Sequence, residues 1–335
     1  MQRSSAAILA TSLAISLTVS LSALASQSAL ASDYLALFKA KKYDEVARVA
    51  NAKLSVEPNN ADALIAKAKL ILIEGKESRL DEAAKLAEQC INANPSNSDC
   101  QESLGEVLGT KAMRGGIMSA IGYASKIRDA FQKAVELNPQ NIEARSSLME
   151  YYMQAPSIAG GGKGKAEKLI AETAKINPAA STLMQAKLDI ADEKFSKAEA
   201  AILSVNTANS EELSGMQANL LQSLGSNYVQ QKKYTDASRV FQESQQRFPD
   251  KQGGFYGMAR NLQEQGKHKE AITFFEKALA IDAQSYTYYR MGQCLQALSD
   301  KAKAIVTFEK ALSFKPELPK KIKEDVEAQL KLLKG

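Results

Sequence analysis

The stretch Ala218–Lys251, ANLLQSLGSNYVQQKKYTDASRVFQESQQRFPDK, decides the fold. In its first half Leu221, Leu224, Gly225 and Tyr228 recur at helical spacing. After a polar break from Lys232 to Thr235, Ala237 and Phe241 do the same, and Pro249 closes the unit. Apolar residues three and four apart share one face of a helix, so the segment predicts two short helices folded back to back along one seam. Gly225 and Ala237 fall where the two axes cross, and a larger side chain at either would push them apart. A single hairpin leaves the other side of that seam bare. The fold therefore depends on whether the pattern recurs.

Ala237, Phe241 and Pro249 serve as a ruler of four residues and then eight, and the ruler fits along the chain. Val46, Ala50 and Pro58 match it, as do Ala83, Ala87 and Pro95, then Ile127, Phe131 and Pro139, then Ala166, Ile170 and Pro178, and finally Ala304, Phe308 and Pro316. Two further units lack the proline: Ala198 and Ile202 lead to Ser210, and Ala271 and Phe275 lead to Ala283. Eight units thus share one frame, and six of the eight prolines fall in the slot where a helix must stop for the chain to turn. The preceding helix shows a large-then-small pair at Leu104-Gly105, Leu148-Met149, Leu224-Gly225, Met258-Ala259 and Met291-Gly292.

The order L-x2-L-G-x2-Y, then A-x3-F, then Pro resembles the tetratricopeptide repeat (TPR), with Leu221 where that family usually carries Trp. The resemblance is strongest in the last three units and weaker in the first five. It implies an all-α, right-handed superhelical solenoid of about eight TPR-like hairpins, closed by an amphipathic capping helix from Leu318 to Leu333. The domain reading is a signal peptide over 1–31, units one to five with Gly-rich inserts over 32–210, units six to eight over 211–317, and the cap over 318–335. The join at Ser210 lacks a proline and is expected to be the weakest, with Ser210 capping a helix that starts at Glu211.

Arg3 is followed by no charged residue until Asp33, and Ala6–Ala25 is a run of Ala, Leu, Ile and Val diluted by Ser and Thr. This reads as a secretory signal peptide with two small-x-small exits, Ala23-Leu24-Ala25 and Ala29-Leu30-Ala31; the run is short and Ser-rich for a spanning helix. The expected location is the periplasm. The segment Tyr151–Ala166, YYMQAPSIAGGGKGKA, resembles one found in exported bacterial TPR proteins and implies the same envelope setting. Export permits disulfides. Cys90, late in one helix, and Cys100, opening the next beyond Pro95, are placed to pair, two buried free thiols being the other reading; Cys294 reads as a small core residue.

Composition limits the function. A net charge of +5 over 335 residues is no footprint for nucleic acid. With one histidine, His268, and three cysteines, neither a Ser/His/Asp arrangement nor a four-ligand zinc site can be assembled. GGGKGKA fails as a phosphate loop: Ala159 stands where the first glycine belongs and Ala166 where the metal-binding hydroxyl belongs. No enzyme, cofactor or metal is expected, and no pair of carboxylates stands out.

The resemblance implies that the first helix of each unit lines a concave groove. Carried over by position, that gives Asp99, Glu102, Glu106, Glu143, Ser146 and Glu150 as an acidic half, and Asn219, Gln222, Ser226, Tyr256, Arg260, Gln263, Tyr289, Gln293 and Gln296 as a half rich in amides and aromatic hydroxyls. Asn219, Gln222, Tyr256, Arg260, Tyr289 and Gln293 are the expected site for a protein or peptide partner, since amides can bond an extended backbone. Tyr256, Arg260 and Tyr289 are the expected anchors, and their joint replacement by Ala is expected to spare the helical signal. The competing surface is an insert. Ruler prolines early in the chain lie 37, 44 and 39 residues apart, so extra residues enter at Glu74–Arg79, Lys111–Ser125 and Ala155–Lys165. The second of these adds Met113, Ile117, Met118, Ile121 and Tyr123 to its glycines, and Ile117, Met118 and Ile121 are the candidate contacts for lipid or an outer-membrane client.

Overall fold

Asparagines and prolines punctuate the chain. In the computed structural model, which describes residues 33–314 and 318–335, Asn60, Asn97, Asn141 and Asn177 each cap a helix by accepting a hydrogen bond from a first-turn backbone N–H. Ser210 caps Glu211–Gln230 in the same way, through Leu213 N. The expected signal segment and the ruler residue Pro316 lie outside the described residues.

The helices are α1 (33–39), α2 (Tyr43–Val56), α3 (Ala61–Glu74), α4 (Leu80–Ala93), α5 (Ser98–Arg114), α6 (Gly116–Leu137), α7 (Ile142–Gln154), α8 (Lys163–Ala174) and α9 (Pro178–Ala191). They continue as α10 (Phe195–Ser204), α11 (Glu211–Gln230), α12 (Tyr234–Arg247), α13 (Gly253–Glu264), α14 (His268–Ile281), α15 (Ser285–Ala297), α16 (Lys301–Ser313) and α17 (Lys320–Lys334). There is no strand among the described residues, and no described helix is long and apolar enough to cross a membrane. Consecutive helices pack as neighbours from α2 through α17, and Tyr34 of α1 packs with Val46 and Ala50 of α2. The first two ruler residues of all eight units are buried, between 0% and 7% exposed. The seam therefore forms the core.

Within a hairpin the turn repeats as well. Lys41, Glu193, Lys232 and Ser299 adopt left-handed φ of 53° to 62°, each two residues before the second helix of its unit, and Gly266 takes the equivalent place at +73°. The next residue's N–H then reaches back five positions, as Lys233 N does to Tyr228 O, which satisfies carbonyls left open at the helix end. The join after α10 lacks proline and is held by a side chain instead. Gln217, 1% exposed, donates to the carbonyls of Ile202 and Val205 and accepts from Thr207 Oγ1.

The inserts differ in kind. Lys111–Ser125 is helix rather than loop: α5 and α6 both run long and meet at Gly115. Met113, Ile117, Met118 and Ile121 are exposed there, whereas Ala112 is buried and Tyr123 packs against the core. Ala155–Lys165 is a loop with a short 3₁₀ turn, Ser157–Ala159, and is locked by Gly161, where a Cβ would stand 1.9 Å from Ala155 O. The first two inserts touch, since Arg114 donates to the Gly75 carbonyl, and the third lies against α6, where Arg128 meets Gly160. A disulfide joins Cys90 to Cys100, Cα atoms 5.5 Å apart, beside Leu64 in a small core; Cys294 is a buried free thiol.

Candidate functional site

First helices of several units meet at one cavity. A cavity of about 440 Å³ is lined by Tyr34, Leu35 and Phe38 of α1, Asp62, Ile65 and Lys69 of α3, Asp99, Glu102 and Glu106 of α5, Glu143 of α7 and Glu212 of α11. The lining thus mixes apolar side chains with carboxylates. Glu212 reaches this cavity because α11 starts a turn early, and sequence position alone carried no sign of it. Tyr34, Leu35 and Phe38 were likewise outside the groove positions read from the repeat frame.

Asn141 organises the acidic wall. As the cap of α7 its Oδ1 accepts from Ala144 N at 2.8 Å, leaving Nδ2 to donate to Ser98 Oγ, Asp99 Oδ1 and Glu102 Oε2 at 2.9 to 3.2 Å. Glu102 is only 7% exposed, and its Oε1 has no hydrogen-bond partner. Burial, with Glu143, Glu106 and Asp99 adding repulsion, pushes the Glu102 carboxyl up to about 8 against the pull of Asn141. Burial also raises Glu106, with Lys69 opposing, and raises Asp99. Carboxylate oxygens of Glu102, Glu106 and Glu143 all lie within 4.8 Å of one another. Spacing along the sequence picked out no such group, because Glu143 joins it from another helix. Glu150 stands apart, paired with Lys187 at 2.7 Å, and the Ser146 hydroxyl is buried without a partner.

The second expected half is built differently. Asn219 is exposed and Gln222 half-buried; both line a cavity of about 330 Å³ together with Lys39, Lys41, Lys251 and Asp282. The first hairpin therefore reaches across the groove, with Lys39 paired to Glu211 and Lys41 to Asp282. Tyr256 is not a free anchor. It is 9% exposed, its ring 5.9 Å from Phe275 and 6.3 Å from Tyr286, and burial lifts its hydroxyl well above the usual tyrosine range. Tyr256 therefore belongs to the core as well as to a groove position.

Tyr289 is engaged by the last helix. Its hydroxyl donates to Asp325 Oδ2 at 2.9 Å and accepts from Gln293 Nε2 at 2.7 Å, while Gln296 bonds Gln329 at 2.8 Å. Burial, then Asp325, push the Tyr289 hydroxyl up to about 12. Gln263 approaches Gln293 at 3.3 Å, so these amides connect α13, α15 and α17. Arg260 is half-buried with its Nε unpartnered. The structure thus brings Asn219 and Gln222 together in one cavity, and draws Tyr289 and Gln293 toward α17. Ile117, Met118 and Ile121 lie elsewhere, 78%, 76% and 67% exposed. A further cavity, of about 850 Å³, sits at the join after α10, between the 203–211 segment and Arg247, Phe248, Asp250 and Lys251.

Residues 254–317 match the sequence profile of the tetratricopeptide repeat. The chain carries tetratricopeptide repeats. Among solved structures, yeast Tom70 aligns with a TM-score of 0.56 at 14% identity, covering 82% of this chain and 57% of that one. This chain thus spans a little over half of the Tom70 chain. A tetratricopeptide repeat protein from Parabacteroides merdae aligns with a TM-score of 0.44 at 18% identity over 82% of this chain and 99% of that one. The Yersinia enterocolitica type III secretion chaperone SycD, solved with a peptide of the translocator YopD, aligns with a TM-score of 0.34 at 26% identity, covering 38% of this chain and 97% of that chain. No curated protein sequence matches the chain. The repeat fold extends beyond the matched segment, since the ruler residues of the earlier units are buried in the same way.

Proposed function

We propose that this TPR protein is a non-enzymatic scaffold of the bacterial envelope, exported to the periplasm by its N-terminal segment, and that it holds a protein or peptide partner in its concave groove. One observation carries the reading: first helices of five units line a single cavity, where Leu35, Phe38 and Ile65 accompany a group of carboxylates. Such a surface offers apolar contact and polar orientation to a chain laid along it. Asn219, Gln222 and Arg260 are the proposed polar contacts further along the groove, with Tyr256, Tyr289 and Gln293 holding that wall in shape. Affinity capture from a periplasmic extract tests this. Capture should fall when Phe38→Ala is combined with Asn219→Ala and Gln222→Ala, and undiminished capture by that variant would overturn the reading.

A second reading rests on the long α5–α6 hairpin, whose Met113, Ile117, Met118 and Ile121 are 67% to 78% exposed. Large apolar side chains exposed this close in sequence are of the kind that meets lipid or an outer-membrane client. Flotation of the protein with liposomes, lost on replacing Ile117, Met118 and Ile121 by Ser, would support it.

A further inference from the structure

Glu102 and Glu106 stand one helical turn apart on α5, and Glu143 enters from α7. One carboxylate oxygen from each lies within 4.8 Å of the other two. Glu106 and Glu143 repel the Glu102 carboxyl and help to raise it, and a cation among the three would relieve that repulsion. Two other observations point to a missing ligand. Glu102 is 7% exposed, yet its Oε1 has no hydrogen-bond partner, although Asn141 satisfies Oε2. Tyr34, 6% exposed, lines the same cavity, and its hydroxyl is also unpartnered. Buried polar atoms normally find partners, so two orphans on one cavity mark a place where a ligand would supply them.

The chemistry selects the class. All the convergent charged ligands are hard carboxylate oxygens, with no histidine or thiolate among them, which suits calcium-type cations rather than zinc or copper. Bonds of about 2.3–2.6 Å to a calcium ion place opposite oxygens roughly 4.6–5.2 Å apart, so oxygens within 4.8 Å of one another can share one ion. A magnesium ion, with bonds of about 2.0–2.1 Å and a strict octahedron, keeps more of its water and suits a cluster of protein carboxylates less well. Charge favours a dication over an amine. Lys69 already contributes one positive charge at the cavity, where Asp62, Asp99 and Glu212 join the three glutamates, so acidic groups outnumber the basic one.

We propose that Glu102, Glu106 and Glu143 form a calcium-class divalent-cation site in the floor of the groove. The site cross-links α5 to α7, the first helices of consecutive units, and so sets the curvature of this part of the stack. The claim concerns the ion alone and stands apart from the partner reading.

Calorimetric titration of EDTA-treated protein with CaCl2, beside thermal unfolding with and without the salt, tests it. The expected result is saturable binding with one ion per chain and a rise in unfolding temperature. Glu102→Gln keeps the Asn141 contact and removes the charge; Glu143→Gln does so at an exposed position where folding is not at stake. Each should weaken binding at least tenfold, whereas Glu150→Gln, whose partner is Lys187, should leave it unchanged. No saturable binding of calcium, magnesium or manganese would overturn the proposal. So would unchanged affinity in Glu143→Gln, or saturable binding of trilysine in place of calcium, which would assign the cluster to a partner's basic side chain.

Discussion

The ring of Phe241 leaves no room for a side chain at Gly257: a Cβ built there would stand 2.1 Å from Phe241 Cε1. The same ring is 2.5 Å from a Cβ built on Gly225. Phe241 is therefore clasped between two glycines, one on the first helix of its own unit and one on the first helix of the next. Gly257→Ala should lower stability by about 1–3 kcal/mol through overpacking, without loss of helical circular dichroism at low temperature. In a Phe241→Leu background the penalty should shrink, since the smaller side chain yields space, and a double-mutant cycle in urea checks the coupling. Equal penalties in both backgrounds would show that the two residues do not meet.

Gln217 does the work of the missing proline. Gln217→Leu removes the donor to Ile202 O and Val205 O and the acceptor for Thr207, leaving buried polar groups unpaired at a cost of about 1–3 kcal/mol. Limited proteolysis of the variant should cut first within 205–210. A cleavage pattern identical to that of the parent would mean the join is held by packing instead.

Stability of the metal-free protein should fall as pH rises. Glu102 titrates near 4.5 when unfolded and is pushed up to about 8 in the fold, by burial and by Glu143, Glu106 and Asp99. Between those values the folded state binds more protons than the unfolded one, so each rise in pH disfavours folding. Below about pH 4.5 this contribution is fully present; above about pH 8 it is lost. Thermal melts in EDTA across this window should show the decline, and Glu102→Gln should flatten it. Stability that climbs through the window would contradict the burial of a carboxyl there.

Tyr256→Ala should cost about 3 kcal/mol, as a large buried aromatic replaced by a methyl leaves a cavity against Phe275 and Tyr286. Asn219→Ala, on an exposed side chain, should change the melting temperature little. If the two variants melt together, Tyr256 is not part of the core.

The sequence by itself determined the local geometry of this protein. Four-then-eight spacing placed Ala237, Phe241 and Pro249 on one seam, Ser210 capped the helix that begins at Glu211, and the short loop from Cys90 to Cys100 allowed the bond found there. These features act within about a dozen residues, where helical periodicity and capping fix who meets whom. Tertiary structure alone decided how the units lie on one another. A residue at a groove position in the repeat frame can be exposed, like Asn219, or sealed by the next unit, like Tyr256 under Tyr286, because the angle between units depends on contacts such as Phe241 against Gly257. The same accumulation of small rotations carries Lys41 to Asp282 and Glu212 to the cavity of α1, α3 and α5. Glu102, Glu106 and Glu143 were all legible as acidic groove residues. Their convergence to within 4.8 Å was not, since it depends on the distance and rotation between α5 and α7 and on the amide of Asn141 drawing Glu102 inward.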